Sequence, residues 1–489
     1  MKQILREHKG AITICFIFLL IYSSISFVNH YFFRTFALDL GMFNHALYAF
    51  SKGKEATYLL GVSGIELPYF ATHFSPLLIV FSPFRYIFGS YTLLIFQILA
   101  ILFGGLGIYK YALNELGGNK LIARVILVQF LSIWGIFSAL SFDFHMNVIG
   151  VMLLPWFVLF FEKNNTKLTI LVLTGILLSI ETMSLWMLFI IIALILKNRK
   201  SISWKTNKTP FILLSYSVIV GIVILNFIMP YYQHSTTNLQ FEKYADFGKT
   251  PFDMIKKLCL NPLNFLQLFF GNTIHSEYDG IKLETILMLL FSGGLAILIR
   301  PIYTIMLLPI LAQKFMSNEY VMWGVNNQYS IEFVPILSLA LIDLIKFSKK
   351  YKLIIAVIMM AVTIVATIST INHRKSKWYS NTNTNFLHKK HYQSNLNISK
   401  IYKALDVINE SDVVSTVSIL APHIAFRDRI YHFPNVKNAN CIVLLKNSEF
   451  SYPLSTEDYN VEISKLRVNK SFYIAYEDDE ILIFKMKEH

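Results

Sequence analysis

The acids and imidazoles that could do chemistry in this chain are few, and they fall in a handful of places. Asp39 stands in FALDLGMFNHALYAF, which also carries His45, and His73 opens HFSP. Asp143 and His145 share FDFHMN, Glu181 tips SIETMS, His275 and Glu277 lie in GNTIHSEYDG, and Gln328 and Tyr329 close NNQY. A carboxylate in such a set can take the proton of an attacking hydroxyl, which is general-base chemistry. Each residue also has a plain structural reading. Asp39 can cap a helix, Asp143 can sit at a helix N-terminus, Glu181 can mark a turn and reach water, and His73 can serve a local hydrogen bond. Asp143 and His145 are two apart, which is not the spacing of a helical metal pair. No metal ligands are read from the sequence, and a need for a divalent cation stays open. Cys15, Cys259 and Cys441 are too scattered for a disulfide framework or a CxxC metal site.

The elements that must position these groups are membrane helices. The chain has 489 residues, 55% hydrophobic and only 15% charged, against about a quarter charged in soluble domains. Apolar runs long enough to cross a bilayer recur through the first three quarters of the sequence. The net charge of +14 does not point to nucleic acid, because the basic residues sit in short clusters between apolar runs, as cytoplasmic loops do. Spans are expected at about residues 11–28, 91–111, 121–140, 147–161, 211–229, 283–299, 302–312, 331–345 and 353–371. The stretch 168–196 is too long for one span. Lysines lie at both its ends (Lys163 and Lys167 before, Lys197, Lys200, Lys205 and Lys208 after), so it reads as a hairpin turning at Glu181-Thr182. That makes about eleven crossings. HFSPLLIVFSPFRYIFG, broken by two prolines and Arg85, reads as interfacial or re-entrant. The basic clusters Lys2, Arg6, Lys9 and Lys346, Lys349, Lys350, Lys352 put the N-terminus in the cytoplasm and the C-terminal region outside.

This topology sends Asp39, His73, Asp143, His145, Glu181, His275, Glu277 and Gln328 to the outer side, where they can line one cleft. Charged groups at the hydrocarbon boundary are costly and often functional. Phe36, Leu40, Phe43, Leu47 and Phe50 recur at helical spacing, so Asp39 belongs to a helix lying at the interface. Tyr320, Trp323, Gln328 and Tyr329 can stack on and hydrogen-bond a sugar or anchor the chain at the interface. Arg34, Arg85, Lys282 and Lys314 are candidates to meet a lipid phosphate. Beyond residue 371 a polar linker, 372–397, leads to a small α/β domain, 398–489. Its expected elements are a helix at 398–409, strands in VVSTVSIL, RIYHF and CIVLLK, and a hairpin in FYIAYEDDEILIFK turning at Asp478-Asp479.

Several of these pieces carry a family resemblance. ALDLGMFNHALYAFSKG, HFSPLLIVFSPFRYIFG, FDFHMNVIGVMLLPW, the acid of SIETMSLWML, NNQYSIEFVPIL, LAPHIAFRDRIYHFPN and NANCIVLLKN together resemble the DUF2079 family, which is grouped with the GT-C glycosyltransferases. The resemblance implies a polytopic GT-C-like fold over residues 1–371 and a polyprenyl-phosphate-linked sugar donor. It also implies an acid in the first outer loop, the position of Asp39, and a second outer-loop acid, the position of Asp143. The chain departs from the family where it has Glu181-Thr182 in place of an acidic pair and Met146-Asn147 in place of Pro-Glu.

The first expectation for function is therefore a glycosyltransferase of the cell membrane. It would carry sugar from a polyprenyl-phosphate donor to an extracytoplasmic acceptor, with Asp39, Asp143 and Glu181 as catalytic acids. His73, His145, His275, Glu277, Gln328, Tyr329, Arg34 and Arg85 would bind substrate. Two alternatives stand beside it: a transporter or lipid-handling permease, and a membrane scaffold whose outer domain binds a partner. Transporters tend to show internal repeats and midplane polar sites, and neither is evident here.

Overall fold

The computed structural model describes residues 6–487 apart from 200–206, 234–242, 245–252, 254–255, 258–259, 273, 349 and 376–378. Lys2, Lys200, Lys205, Cys259 and Lys349, used above, lie outside the described residues. The chain forms two compact units, one of residues 1–23, 97–142 and 146–381, the other of residues 24–96, 143–145 and 382–489.

Helices of the first unit coincide with the apolar runs. They include Thr92–Glu115 (which begins in the second unit), Met146–Glu162, Thr209–Val223, Ile302–Phe315, Phe333–Phe347 and Lys352–Asn372. Among the described residues five helical stretches are long and apolar enough to cross a membrane, and a bent pair makes up to six. Four further apolar helices are shorter. The expected hairpin is present as Thr166–Leu177 and Met183–Lys197 with Glu181 in the break. Both helices are rich in Leu and Ile, and Asn165 starts the first by accepting the Leu168 N–H.

Breaks inside apolar helices leave backbone groups that lipid cannot satisfy. Lys120–Leu131 and Trp134–Leu140 meet at a 45° bend. The carbonyls released there are taken by the hydroxyls of Tyr22 (on Leu131, 2.6 Å) and Thr367 (on Ser132, 2.7 Å). In the stretch 281–299 the helix kinks at Gly293, whose φ of +122° a side chain would resist. The Gln129 amide donates to the Ser292 carbonyl at 2.9 Å, and Ser338 donates back to the same Gln129 at 2.8 Å. Lys197 and Lys346, read from sequence as loop charges, and Arg300 pair with acids: Arg300 and Lys197 with Asp343, Lys197 with Glu162, Lys346 with Glu115.

The second unit joins the first apolar helix's end to the C-terminal residues. A short antiparallel pair, β1 (Thr57–Tyr58) and β2 (Leu67–Pro68), lies in the loop after that helix. The segment 73–91 is a run of short helical turns: Leu78–Phe81, Ser82–Phe84, Arg85–Phe88 and Gly89–Tyr91. It breaks where Gly89 takes φ +55°, ψ −141°, a conformation left to glycine. The C-terminal sheet has the strands β3 (Val414–Thr416), β4 (Ile430–His432), β5 (Cys441–Leu445), β6 (Phe472–Glu477) and β7 (Ile481–Met486), in the order β4-β3-β5-β7-β6. β3 runs parallel to β4 and β5, while β7 is antiparallel to β5 and β6. The β6–β7 hairpin turns where expected, because the Asp478 carboxylate accepts the Glu480 and Ile481 amides. The expected helix forms as Ile398–Leu405, and a second, Thr456–Val468, starts at Ser455, which accepts the Asp458 N–H.

The core of this unit crosses the sequence. Phe33, Ala37 and Leu60 are packed in one buried cluster with Ile401, Val414, Leu420, Ala421 and Ile442. Part of the segment read as a polar linker is also tied in. The Arg34 guanidinium donates to the carbonyls of Asn383, His391 and Gln393, and the His391 ring is bonded to the carbonyls of Ser24 and Asn383.

Candidate active site

Asp39 stands in a single π-helical turn, Ala37–Gly41, that leads into the helix Met42–Ser51. The turn starts abruptly after Phe36, which is extended (φ −127°, ψ 159°). The first amides of any such turn have no partner within it. Asp143 supplies one: its Oδ2 accepts the Phe36 N–H at 2.8 Å and the Leu40 N–H at 3.3 Å. The sequence reading of Asp143 as an N-terminal helix partner is therefore met on a distant segment rather than on the helix that follows it. The capping reading of Asp39 gives way, because the carboxylate lies within the turn and pairs elsewhere.

Its partner is His145. The His145 Nε2 lies 3.0 Å from Asp39 Oδ1. An ionised carboxylate only accepts, so Nε2 carries the proton in this pair. Asp143 itself takes φ +47°. This left-handed backbone suits Asp better than most side chains, and it is the kind of conformation that gathers at functional sites. Phe43, one helical turn beyond Asp39, meets Phe144 edge-on at 5.2 Å, His145 at 6.5 Å and the His73 ring at 6.4 Å. Phe43 and Phe144 are buried, so they wall the Asp–His pair on an apolar side.

The two acids differ in setting. The Asp39 side chain is 25% exposed and the Asp143 residue 3%. Burial, and after it the nearby Asp39 carboxylate, raises the Asp143 carboxyl well above its ordinary pKa, with the Phe36 and Leu40 amides pulling the other way. Asp39 is thus the more exposed of the two acids, and Asp143 is the one that shapes its turn. Among the described residues no group of three or more His, Cys, Asp or Glu could hold a metal ion.

The other residues singled out from sequence are placed as follows. His73 ends the turn Tyr69–Thr72 in the same unit, against Phe43. Arg85 donates to Ser51 Oγ and lies over the rings of Tyr86 (4.0 Å) and Tyr48 (4.9 Å). Arg34 binds the carbonyls named above. Glu181 (buried), His275, Glu277, Gln328 and Tyr329 belong to the other unit. There His275 and Glu277 are exposed and 3.8 Å apart. Lys282 donates to the Phe315 carbonyl and lies 4.1 Å over Trp323, and Lys314 lies 5.3 Å over Tyr329. Sequence reasoning missed two features. Glu332 forms a buried ion pair with Lys314 at 3.0 Å and accepts from Asn147 at 2.7 Å; its signal was an acid opening the apolar run FVPIL. Ser418 reaches the Asp39 turn from the C-terminal residues, and no local pattern marked it.

The fold matches that of a solved structure. ArnT from Cupriavidus metallidurans, whose crystal structure holds undecaprenyl phosphate, superposes with a TM-score of 0.56 over 98% of this chain and 98% of its own, at 9% identity. The arabinofuranosyltransferase AftD from Mycobacteria aligns with 99% of this chain and 40% of its own, at a TM-score of 0.47 and 11% identity. No curated protein matches the sequence. The architecture is mostly helical, with several apolar helices long enough to cross a membrane, and its fold is shared with ArnT. The chain belongs to the DUF2079 family, described as a predicted membrane protein, whose model matches residues 29–483.

Proposed function

We propose that the chain is a membrane glycosyltransferase that moves a sugar from a polyprenyl-phosphate donor to an extracytoplasmic acceptor, with Asp39 as general base. The observation that carries the reading is the Asp39–His145 pair on a turn fixed by Asp143. The ArnT structure, with undecaprenyl phosphate bound, supports the donor class. In the reaction the acceptor hydroxyl attacks the anomeric carbon and gives its proton to Asp39. The bond from that carbon to the phosphate oxygen breaks, and polyprenyl phosphate leaves with the electron pair. Phosphate is a competent leaving group, so the demand on the protein is orientation and proton removal. The hydrogen bond from His145 aims the carboxylate. The reading includes about eleven crossings, a cytoplasmic N-terminus and an extracytoplasmic module built on the C-terminal sheet.

The test is transfer of radiolabelled sugar from a panel of undecaprenyl-phosphate sugars to envelope acceptors, with the full chain in nanodiscs. Asp39→Asn should lower turnover at least about a hundredfold, the scale of a general base, with the donor KM nearly unchanged. Turnover of Asp39→Asn equal to the unaltered protein's would remove Asp39 from the role.

A further inference from the structure

The turn that carries Asp39 has a second clamp, and it comes from the far end of the sequence. The Ala37 N–H, the first amide of the π-helical turn, donates to Ser418 Oγ at 3.2 Å in a buried contact. Ser418 lies two residues beyond the end of β3, the strand flanked on both sides by parallel neighbours. The carboxyl ends of parallel strands are where α/β sheets place functional groups.

Contacts just after Ser418 close the backbone onto the same turn and its flanks. A Cβ at Gly41 would meet Leu60 and the Phe36 carbonyl at 3.3 Å and the Ala421 Cβ at 3.5 Å, so the turn lies in close contact with the segment after β3. Asn44 donates to the Pro422 carbonyl at 3.0 Å. The His30 and His423 rings stack at 4.1 Å, 7° from parallel. The segment 418–423 thus grips the loop before, within and after the residues that hold Asp39.

We propose that Ser418 is a positioning residue for Asp39: the C-terminal module fixes the acid-bearing turn through the Ala37 amide, while Asp143 fixes it through those of Phe36 and Leu40. The three amides are held by two side chains from distant parts of the sequence, and Asp39 lies between Ala37 and Leu40. The catalytic part of the proposal rests on the reading of Asp39 as the base. The clamp itself stands on geometry alone.

The test uses the full chain as Ser418→Ala, Ser418→Thr and Tyr459→Phe. Tyr459 donates to the Leu445 carbonyl at 2.8 Å inside the same module, so its variant removes a hydrogen bond of that module in which no residue of the turn takes part. Amide hydrogen exchange by mass spectrometry on peptides covering 36–41 is the first readout. Ser418→Ala should exchange roughly five- to tenfold faster there, the factor one hydrogen bond of ordinary net strength sets. Ser418→Thr should restore the slow rate, and Tyr459→Phe should leave it unchanged. The second readout is sugar transfer: Ser418→Ala should lower kcat and spare the donor KM, again with rescue by Thr. Unchanged exchange over 36–41 in Ser418→Ala, or the same acceleration in Tyr459→Phe, would overturn the proposal. A protein that transfers no sugar, or an Asp39→Asn variant that transfers normally, would overturn the enzymatic reading and the catalytic half of the proposal, and the exchange result would still decide the clamp.

Discussion

Replacing Asp143 is the sharpest test of how the acid-bearing turn is built. Asp143→Ala removes the acceptor of the Phe36 N–H at 2.8 Å and of the Leu40 N–H at 3.3 Å. Phe36 is exposed enough for water to replace its bond, whereas Leu40 is fully buried. The buried amide left without a partner costs about 1–3 kcal/mol. Alanine at φ +47° adds about 1 kcal/mol, since it lacks the local hydrogen bonding that lets Asp or Asn sit there. The sum, about 3 kcal/mol, corresponds to local opening on the order of a hundredfold more frequent. Asp143→Asn keeps an oxygen acceptor and tolerates the same backbone, so its cost should stay under about 1 kcal/mol. Hydrogen exchange over residues 34–42 measures both variants. Equal effects of Ala and Asn, or slow exchange retained in Asp143→Ala, would refute the view that the carboxylate oxygen holds the turn.

Two more predictions concern charge. Because the folded Asp143 pKa lies above the unfolded value of about 3.9, its contribution to stability is complete below that value and is lost as pH rises through the folded pKa. The loss has a slope of at most about 1.4 kcal/mol per pH unit. Asp143→Asn should abolish that component, so melting curves of the two proteins should diverge as pH rises from 4 in the variant's favour; parallel curves would contradict the shift. Glu332→Ala should destabilise by about 3–5 kcal/mol, because it strands the Lys314 ammonium in a buried site, while the double variant Lys314→Met, Glu332→Leu should lie much nearer the unaltered protein. Melting of the solubilised chain checks both, and a Glu332→Ala variant as stable as its parent would show that the pair is not closed.

Much of this architecture was legible because its signals are local. Apolar runs gave the helices, and the charge pattern gave the hairpin around Glu181. The turn chemistry of Asp478 gave the β6–β7 hairpin. The site was half legible. Asp39, Asp143 and His145 stood out as polar groups beside apolar helices, but their pairing did not, since it joins residues about a hundred positions apart across two loops. Periodicity marked Phe36, Leu40 and Phe43 as one helical face and so hid the π-helical turn, which depends on amides held by a distant carboxylate. Thr456–Val468 was missed because its polar composition carries no apolar stripe, and Ser418 because a single serine after a strand has no signature. Arg34 was read as a phosphate ligand from its charge alone. Its guanidinium instead binds three carbonyls of the segment 383–393, a role visible only once that segment is seen folded.

The proposed reaction requires a polyprenyl phosphate donor beside Asp39. Photocrosslinking with a diazirine-bearing undecaprenyl phosphate, followed by peptide mapping of the full chain in nanodiscs, tests it directly. Adducts are expected on peptides covering residues 34–45 or 69–75, displaced by excess undecaprenyl phosphate and not by a neutral polyprenol. Adducts confined to other peptides, or equal displacement by the neutral polyprenol, would contradict it.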